Sequence, residues 1–82
     1  MVKRYTYKDL KDETKVFLDL CKAEDTTLKR LDASYRAWYF VYLETDTENE
    51  IHENEAKILK GIIDDKYHET YRDLLFSKRV TQ

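Results

Sequence analysis

Two features of this sequence offer groups for covalent or acid–base catalysis, a single cysteine and a pair of adjacent aspartates. Cys21 could act as a nucleophile beside a histidine, but it falls with Phe17 and Leu20 on one apolar face of a predicted helix. That position indicates a buried structural thiol. Asp64 and Asp65 would point about 100° apart on a helix, so they cannot share a proton, and a helix cap explains them better. We therefore predict no catalytic residue and no enzyme.

Glutamate and histidine also occur at a spacing that some metal sites use. Glu48, His52 and Glu55 follow one another at i, i+4 and i+7 and would share one helical face. A di-iron site in a helical bundle needs Glu-x-x-His from two helices, however, and this sequence has no such motif. The only glycine is Gly61, which excludes a glycine-rich phosphate loop. We expect neither a metal nor a cofactor.

Seven tyrosines are many for a chain of this length. Aromatic platforms of this kind stack bases in proteins that bind single-stranded nucleic acid, but they need cations between the rings. Only Arg36 and Arg72 are close to the tyrosines concerned, which are Tyr35, Tyr39, Tyr42, Tyr67 and Tyr71. We interpret them as core and rim residues whose hydroxyls reach water or a carboxylate. Tyrosine is also common at protein interfaces.

Charge is segregated along the chain, although its formal net value is only −2. Residues 44–55 hold six acidic side chains and no lysine or arginine, whereas the remaining residues hold all 15 basic side chains and 11 acidic ones. The acidic run is either a solvated link or a surface that docks on a basic patch of a partner and steers association. If its carboxylates were spaced like phosphates, the run would mimic a nucleic acid.

The most apolar stretch of the chain, Tyr35 to Leu43, must lie at the centre of any core. A buried strand is one interpretation of so many aromatic and β-branched residues. The spacing of 3, 4, 3 and 4 favours one face of a helix, which comprises Leu28, Leu31, Tyr35, Trp38 and Tyr42. The same helix has a second, narrower apolar strip, which consists of Ala33, Ala37, Phe40 and Val41. That strip is covered either by the same molecule or by a partner.

Two further helices flank this central one. The first is predicted over residues 7–24, with Thr6 as its cap and Asp9 in the capping-box position. The last begins near residue 48 or 50 and ends near residue 78, and its apolar residues form two stripes that are out of phase. We therefore expect a kink, a π-type bulge or a break between Gly61 and Lys66. The predicted fold is all-α, a small antiparallel bundle of three helices whose third is bent or split into a fourth.

Length and composition set the remaining limits. The 82 residues make a single helical domain, residues 1–82, whose charged fraction of 39% is balanced by an aromatic fraction of 13% that disordered chains lack. One cysteine cannot form an internal disulfide, and the first residues do not lead into a signal-peptide core. No apolar run is long enough to cross a membrane. We expect a reducing, cytoplasmic setting.

These features favour a protein that acts by binding. We expect a small adaptor or inhibitor of a partner with a basic surface, one half of a homodimer, or an accessory protein of a phage or mobile element. The predicted protein-binding residues are Ala37, Phe40, Val41, Glu44, Asp46, Glu48, Glu50 and Glu53. The alternative is a small nucleic-acid-binding regulator that contacts phosphates through Lys29, Arg30, Arg36, Arg72, Lys78 and Arg79. The net charge and the acidic run argue against nucleic acid.

Overall fold

Three α-helices account for 82% of the residues that the computed structural model describes, which are residues 5–47 and 49–76. Helix α1 comprises Tyr7–Lys22, α2 comprises Leu28–Leu43 and α3 comprises Glu50–Leu75. A mostly all-α fold is therefore confirmed, and the interpretation of the aromatic stretch as a strand is wrong. None of the helices in the described part of the chain is both long enough and apolar enough to cross a membrane.

Each helix begins at a short polar side chain that accepts a backbone hydrogen bond. Thr6 and Asp9 form the predicted capping box at α1, with the backbone N–H of Asp9 3.2 Å from Oγ1 of Thr6. Thr27 caps α2, and Asn49 accepts from the N–H of His52 at 2.8 Å at the start of α3. These contacts satisfy N–H groups that the first turn of a helix leaves without a partner.

The core lies where the predicted seam of α2 meets α1. Trp38 is completely buried, and its indole Nε1 donates a hydrogen bond of 2.7 Å to Oγ1 of Thr14. The Thr14 hydroxyl in turn donates to the carbonyl of Leu10 at 2.8 Å, so the one polar atom of the indole is paired without access to water. Phe17 and Cys21 are buried on the same face of α1, which confirms the predicted burial of the thiol.

Helix α3 is α-helical from end to end, so the predicted π bulge or break between Gly61 and Lys66 is wrong. The helix has one seam, spaced by 3, 4, 4, 3 and 4 residues, which comprises Ala56, Leu59, Ile63, Tyr67, Thr70 and Leu74. The seam was missed because small or polar residues occupy two of its positions. Three isoleucines of the same helix are exposed, namely Ile51, Ile58 and Ile62.

Contacts between the helices follow a regular order along the chain. From α2 to α1, Trp38 meets Thr14 and Tyr35 meets Phe17, so the contacts advance in opposite chain directions. From α2 to α3 the same holds, with Tyr39 near Asp64 and Asp32 near Tyr67.

A short parallel ladder, which the sequence did not predict, joins the start of α1 to the link after α2. Strand β1, Tyr5–Thr6, pairs with strand β2, Thr45–Asp46, with Tyr5 opposite Thr45. The N–H of Tyr5 also donates to the carbonyl of Glu44 at 3.1 Å. Part of the acidic run is therefore held by backbone pairing and is not a free loop.

Candidate protein-binding surface

The predicted binding residues lie around the end of α2 and the start of α3. Asp46, Glu50 and Glu53 are exposed and line one shallow, open depression of about 480 Å³ together with Thr47 and Asn49. The structure thus brings three of the predicted carboxylates onto a single concave surface, which we call the acidic depression. None of these described lining residues is basic.

Local interactions fix the backbone around the acidic depression. Thr45 is buried, and its hydroxyl donates to the carbonyl of Val41 at 2.6 Å, which ties β2 to the last turn of α2. Asn49 then caps α3, so Glu50 and Glu53 fall in its first turn. Carboxylates at this end of a helix are favoured by the partial positive charge of the helix dipole. The acidic side chains are therefore carried by ordered backbone.

The remaining predicted residues divide into exposed and buried ones. Ala37 is exposed, and Phe40 is exposed on 48% of its surface while its ring meets that of Tyr5 at 6.1 Å between centroids. Val41 is only 8% exposed and belongs to the core, so at this position the molecule itself covers the second apolar strip. Helix α2 contacts both other helices, and its buried arc is therefore wider than the seam of five residues.

One acidic residue of the predicted set stands apart from the acidic depression, and another is not among the described residues. Glu44 is half-buried and ends α2, where its N–H donates to the carbonyls of Phe40 and Val41. Glu48 lies outside the described residues. The acidic depression is therefore smaller than the acidic run from which it was predicted.

Two of the three residues considered for a metal, His52 and Glu55, contact α1. The ring of His52 stacks on that of Tyr7 at 4.5 Å and 17°, and Glu55 accepts a hydrogen bond of 2.7 Å from the Tyr7 hydroxyl. Burial, and then this hydrogen bond, raise the pKa of Tyr7 to about 12. Within residues 5–47 and 49–76, no cluster of three or more histidine, cysteine or acidic side chains is arranged to hold a metal ion.

A polar network that the sequence did not predict joins α2 to α3. The Asp64 carboxylate accepts hydrogen bonds from the hydroxyls of Tyr35 at 2.8 Å and Tyr39 at 3.2 Å, and from Nζ of Lys60 at 3.0 Å. Burial alone would raise the pKa of Asp64, but the hydrogen bonds from Tyr35 and Lys60 outweigh it and hold this pKa below its ordinary value.

The aromatic rings around this network strengthen the same interface. Tyr35 stacks on Tyr67 with centroids 4.0 Å apart, and the Tyr67 hydroxyl donates to Asp32 at 3.2 Å. The helix cap proposed for the two aspartates is wrong, since α3 continues through them. The interpretation of these tyrosines as rim residues that reach carboxylates is confirmed for Tyr35, Tyr39 and Tyr67.

Comparison of the chain with protein-family models, with curated proteins and with solved structures gives no match. The function of the chain therefore has to be inferred from its own residues.

Proposed function

We propose that this protein acts by binding another protein, as an adaptor or an inhibitor, and that the acidic depression is its contact surface. The observation that carries the proposal is the grouping of Asp46, Glu50 and Glu53 on one concave surface. Three carboxylates of one sign on a small surface attract a basic patch and raise the rate of association. The partner is accordingly a protein with a basic surface.

Apolar residues near this end of the molecule support the proposal. Phe40 lies one helical turn before Glu44 and is half exposed, and Leu43 is exposed on 62% of its surface. Protein interfaces place apolar anchors inside a polar rim, and aromatic residues are enriched among those anchors. Phe40 and Ala37 would supply the apolar part, and the carboxylates would supply orientation.

A nucleic-acid-binding regulator has less support. Arg30 lies 3.7 Å from Asp25, and Arg36 lies 3.1 Å from Asp32. Two of the basic residues predicted to contact phosphates therefore have acidic neighbours. Lys78 and Arg79 lie outside the described residues. We assign no catalytic step to the chain, and we propose the cytoplasm as its setting because a single cysteine suits a reducing compartment.

The test compares two variants that remove the same charge from different places. The first neutralises the acidic depression with Asp46→Asn, Glu50→Gln and Glu53→Gln; the control neutralises three exposed acids elsewhere with Glu24→Gln, Asp65→Asn and Glu69→Gln. Each is immobilised and used to capture proteins from native lysate. We expect the amount of basic protein that is captured to fall by about fivefold or more with the first variant, relative to the unmodified chain, and to stay unchanged with the control.

A further substitution tests the apolar part. Phe40→Asp should release the same proteins while circular dichroism shows unchanged helix content, because the side chain is half exposed. Equal retention by all variants, or equal loss from both charge variants, would remove the acidic depression as the binding surface. Binding of mixed-sequence DNA or RNA with a steep dependence on salt would favour the nucleic-acid alternative instead.

A further inference from the structure

A second surface, of opposite charge, lies between α1 and α3. It is a groove of about 380 Å³ whose lining residues are Lys11, Thr14, Lys15, Leu18, Asp19, Lys22 and Leu59. Leu18 and Leu59 are half-buried and pack against the core, so they form an apolar floor. Three lysines face a single aspartate in this lining, which makes the groove basic while the acidic depression is negative.

The lysines form a row along one wall of the groove. At 100° per residue, Lys11, Lys15 and Lys22 fall within about 40° of one another on α1, and they span about 16 Å of helix. All three are exposed. Lys8, Lys60 and Lys66 each form an ion pair, whereas these three form none in the part of the chain that the structure describes.

An exposed isoleucine lies on α3 near the groove residue Leu59. Helix α3 turns His52 and Glu55 toward Tyr7 of α1. Ile62 follows Leu59 by one turn and lies within about 20° of Glu55 on the helix circumference, so it borders the α1 side of α3. Its side chain is 45% exposed and lies outside the lining of the groove itself. The groove thus has a basic wall and an apolar floor, with an exposed apolar side chain beside that floor.

We propose that this groove binds an amphipathic, acidic helix of a partner protein. The apolar side of that helix would cover Leu18, Leu59 and Ile62, and its carboxylates would meet the lysine row. An amphipathic helix laid in a groove is a common mode of recognition, and a row of about three turns matches a helical ligand of similar length. The charge of the lysines selects an acidic partner over a basic one.

This inference goes beyond the function proposed above, because it assigns a second partner to a different surface. The acidic depression suits a basic surface, whereas the groove suits an acidic helix. A protein with both surfaces would join two partners of opposite charge. The experiments below use different variants from those for the acidic depression, so either proposal can fail alone.

The probe is a fluorescein-labelled peptide of about 18 residues, or about five helical turns, with leucine at i, i+3, i+4 and i+7 and glutamate elsewhere. Fluorescence anisotropy at low salt measures its affinity for the full chain. The variant Lys15→Gln with Lys22→Gln is matched by Lys29→Gln with Lys57→Gln, which removes the same charge from exposed lysines that do not line the groove.

We expect saturable binding that weakens by about fivefold or more in the groove variant and by less than about twofold in the control. Ile62→Asn should also weaken binding without loss of helix content, because this exposed side chain lies one turn after the floor residue Leu59. Amide chemical shifts should change along residues 11–22 and around Ile62. A peptide with lysine in place of glutamate should not bind.

Three results would overturn the proposal. The first is the absence of saturable binding at low salt, and the second is an equal loss of affinity in the two lysine variants. The third is self-association of the chain in sedimentation that Lys15→Gln with Lys22→Gln abolishes, since the occupant of the groove would then be a second copy. Helix content and thermal midpoint, measured for every variant, show whether a loss of affinity reflects unfolding.

Discussion

Helices α2 and α3 both contribute to one core, but the kinds of residue that face the core differ between them. In α2 the predicted seam faces the core, with Trp38 and Leu31 fully enclosed, while Phe40 and Leu43 of the same helix are exposed. In α3 the buried positions include Ala56 and Thr70, while Ile58 is exposed on 63% of its surface. The spacing of the apolar residues therefore identifies the core-facing side of α2 and misidentifies that of α3.

The difference between the two helices is tested most directly by removing one large side chain from each of them. Trp38→Ala should lower the free energy of unfolding by about 3 to 5 kcal/mol, since it opens a large cavity in the core. Ile58→Ala should change it by less than about 0.5 kcal/mol, as expected for an exposed residue. Urea unfolding followed by circular dichroism measures both. A loss above about 2 kcal/mol for Ile58→Ala would mean that this side chain is packed.

Two buried threonines should respond to the same substitution with opposite sign. Thr14→Val leaves the indole N–H of Trp38 without its acceptor and should cost about 1 to 3 kcal/mol. The Thr70 hydroxyl is buried and has no hydrogen-bond partner in the described residues, so Thr70→Val should gain about 1 kcal/mol. Thermal unfolding of the two variants side by side checks the signs. Destabilisation by both would show that the Thr70 hydroxyl is paired.

The interface between the two helices should weaken in acid. Because the pKa of Asp64 is held below its ordinary value of 3.8 in the fold, its contribution is full above that value and is lost as the pH falls through the lowered pKa. Asp64→Asn should cost about 1 to 2 kcal/mol near neutral pH and progressively less in acid. Asp65→Asn is the matched control, since that exposed neighbour makes no hydrogen bond or ion pair within the described ranges.

Urea denaturation of both variants from pH 7 down to about pH 3 measures this dependence. A difference between Asp64→Asn and the unmodified chain that stays constant with pH would contradict the role of the ionised carboxylate.

The smallest expected effect concerns the backbone of the two helices. A Cβ added at Gly61 would meet no heavy atom within 4 Å, so Gly61→Ala should stabilise α3 by about 1 kcal/mol. Ala37→Gly, at an exposed position inside α2, should lose about the same amount. Thermal midpoints of the two variants should move in opposite directions. No gain for Gly61→Ala would mean that the helix is not regular at this residue.

Much of the fold could be predicted from local sequence signals. The seam of α2, the capping box of Thr6 and Asp9, and the break before Leu28 each depend on residues only a few positions apart. The course of α3 could not be predicted in the same way. Its seam is continuous only if Ala56 and Thr70 count as core positions, and what makes them so is their contact with α1 and α2 and not their own hydrophobicity.

The candidate surfaces divide along the same line. Asp46, Glu50 and Glu53 are close in sequence, so their grouping could be predicted before their geometry was known. The burial of Val41 and the acceptor role of Asp64 depend on residues that lie far away in the chain. The groove between α1 and α3 exists only because one particular face of α1 lies beside α3, and no local pattern in the sequence specifies that face.

The ladder between Tyr5 and Thr45 joins segments some forty residues apart, and it has only two rungs. Closing so long a loop for so few bonds is unfavourable until the helices in between have docked. We expect the ladder to form last during folding and to separate first when the molecule is under mechanical load. The backbone amides of the ladder should exchange with deuterium well before that of Trp38. A ligand bound at the acidic depression should slow their exchange by stabilising the paired state of the ladder.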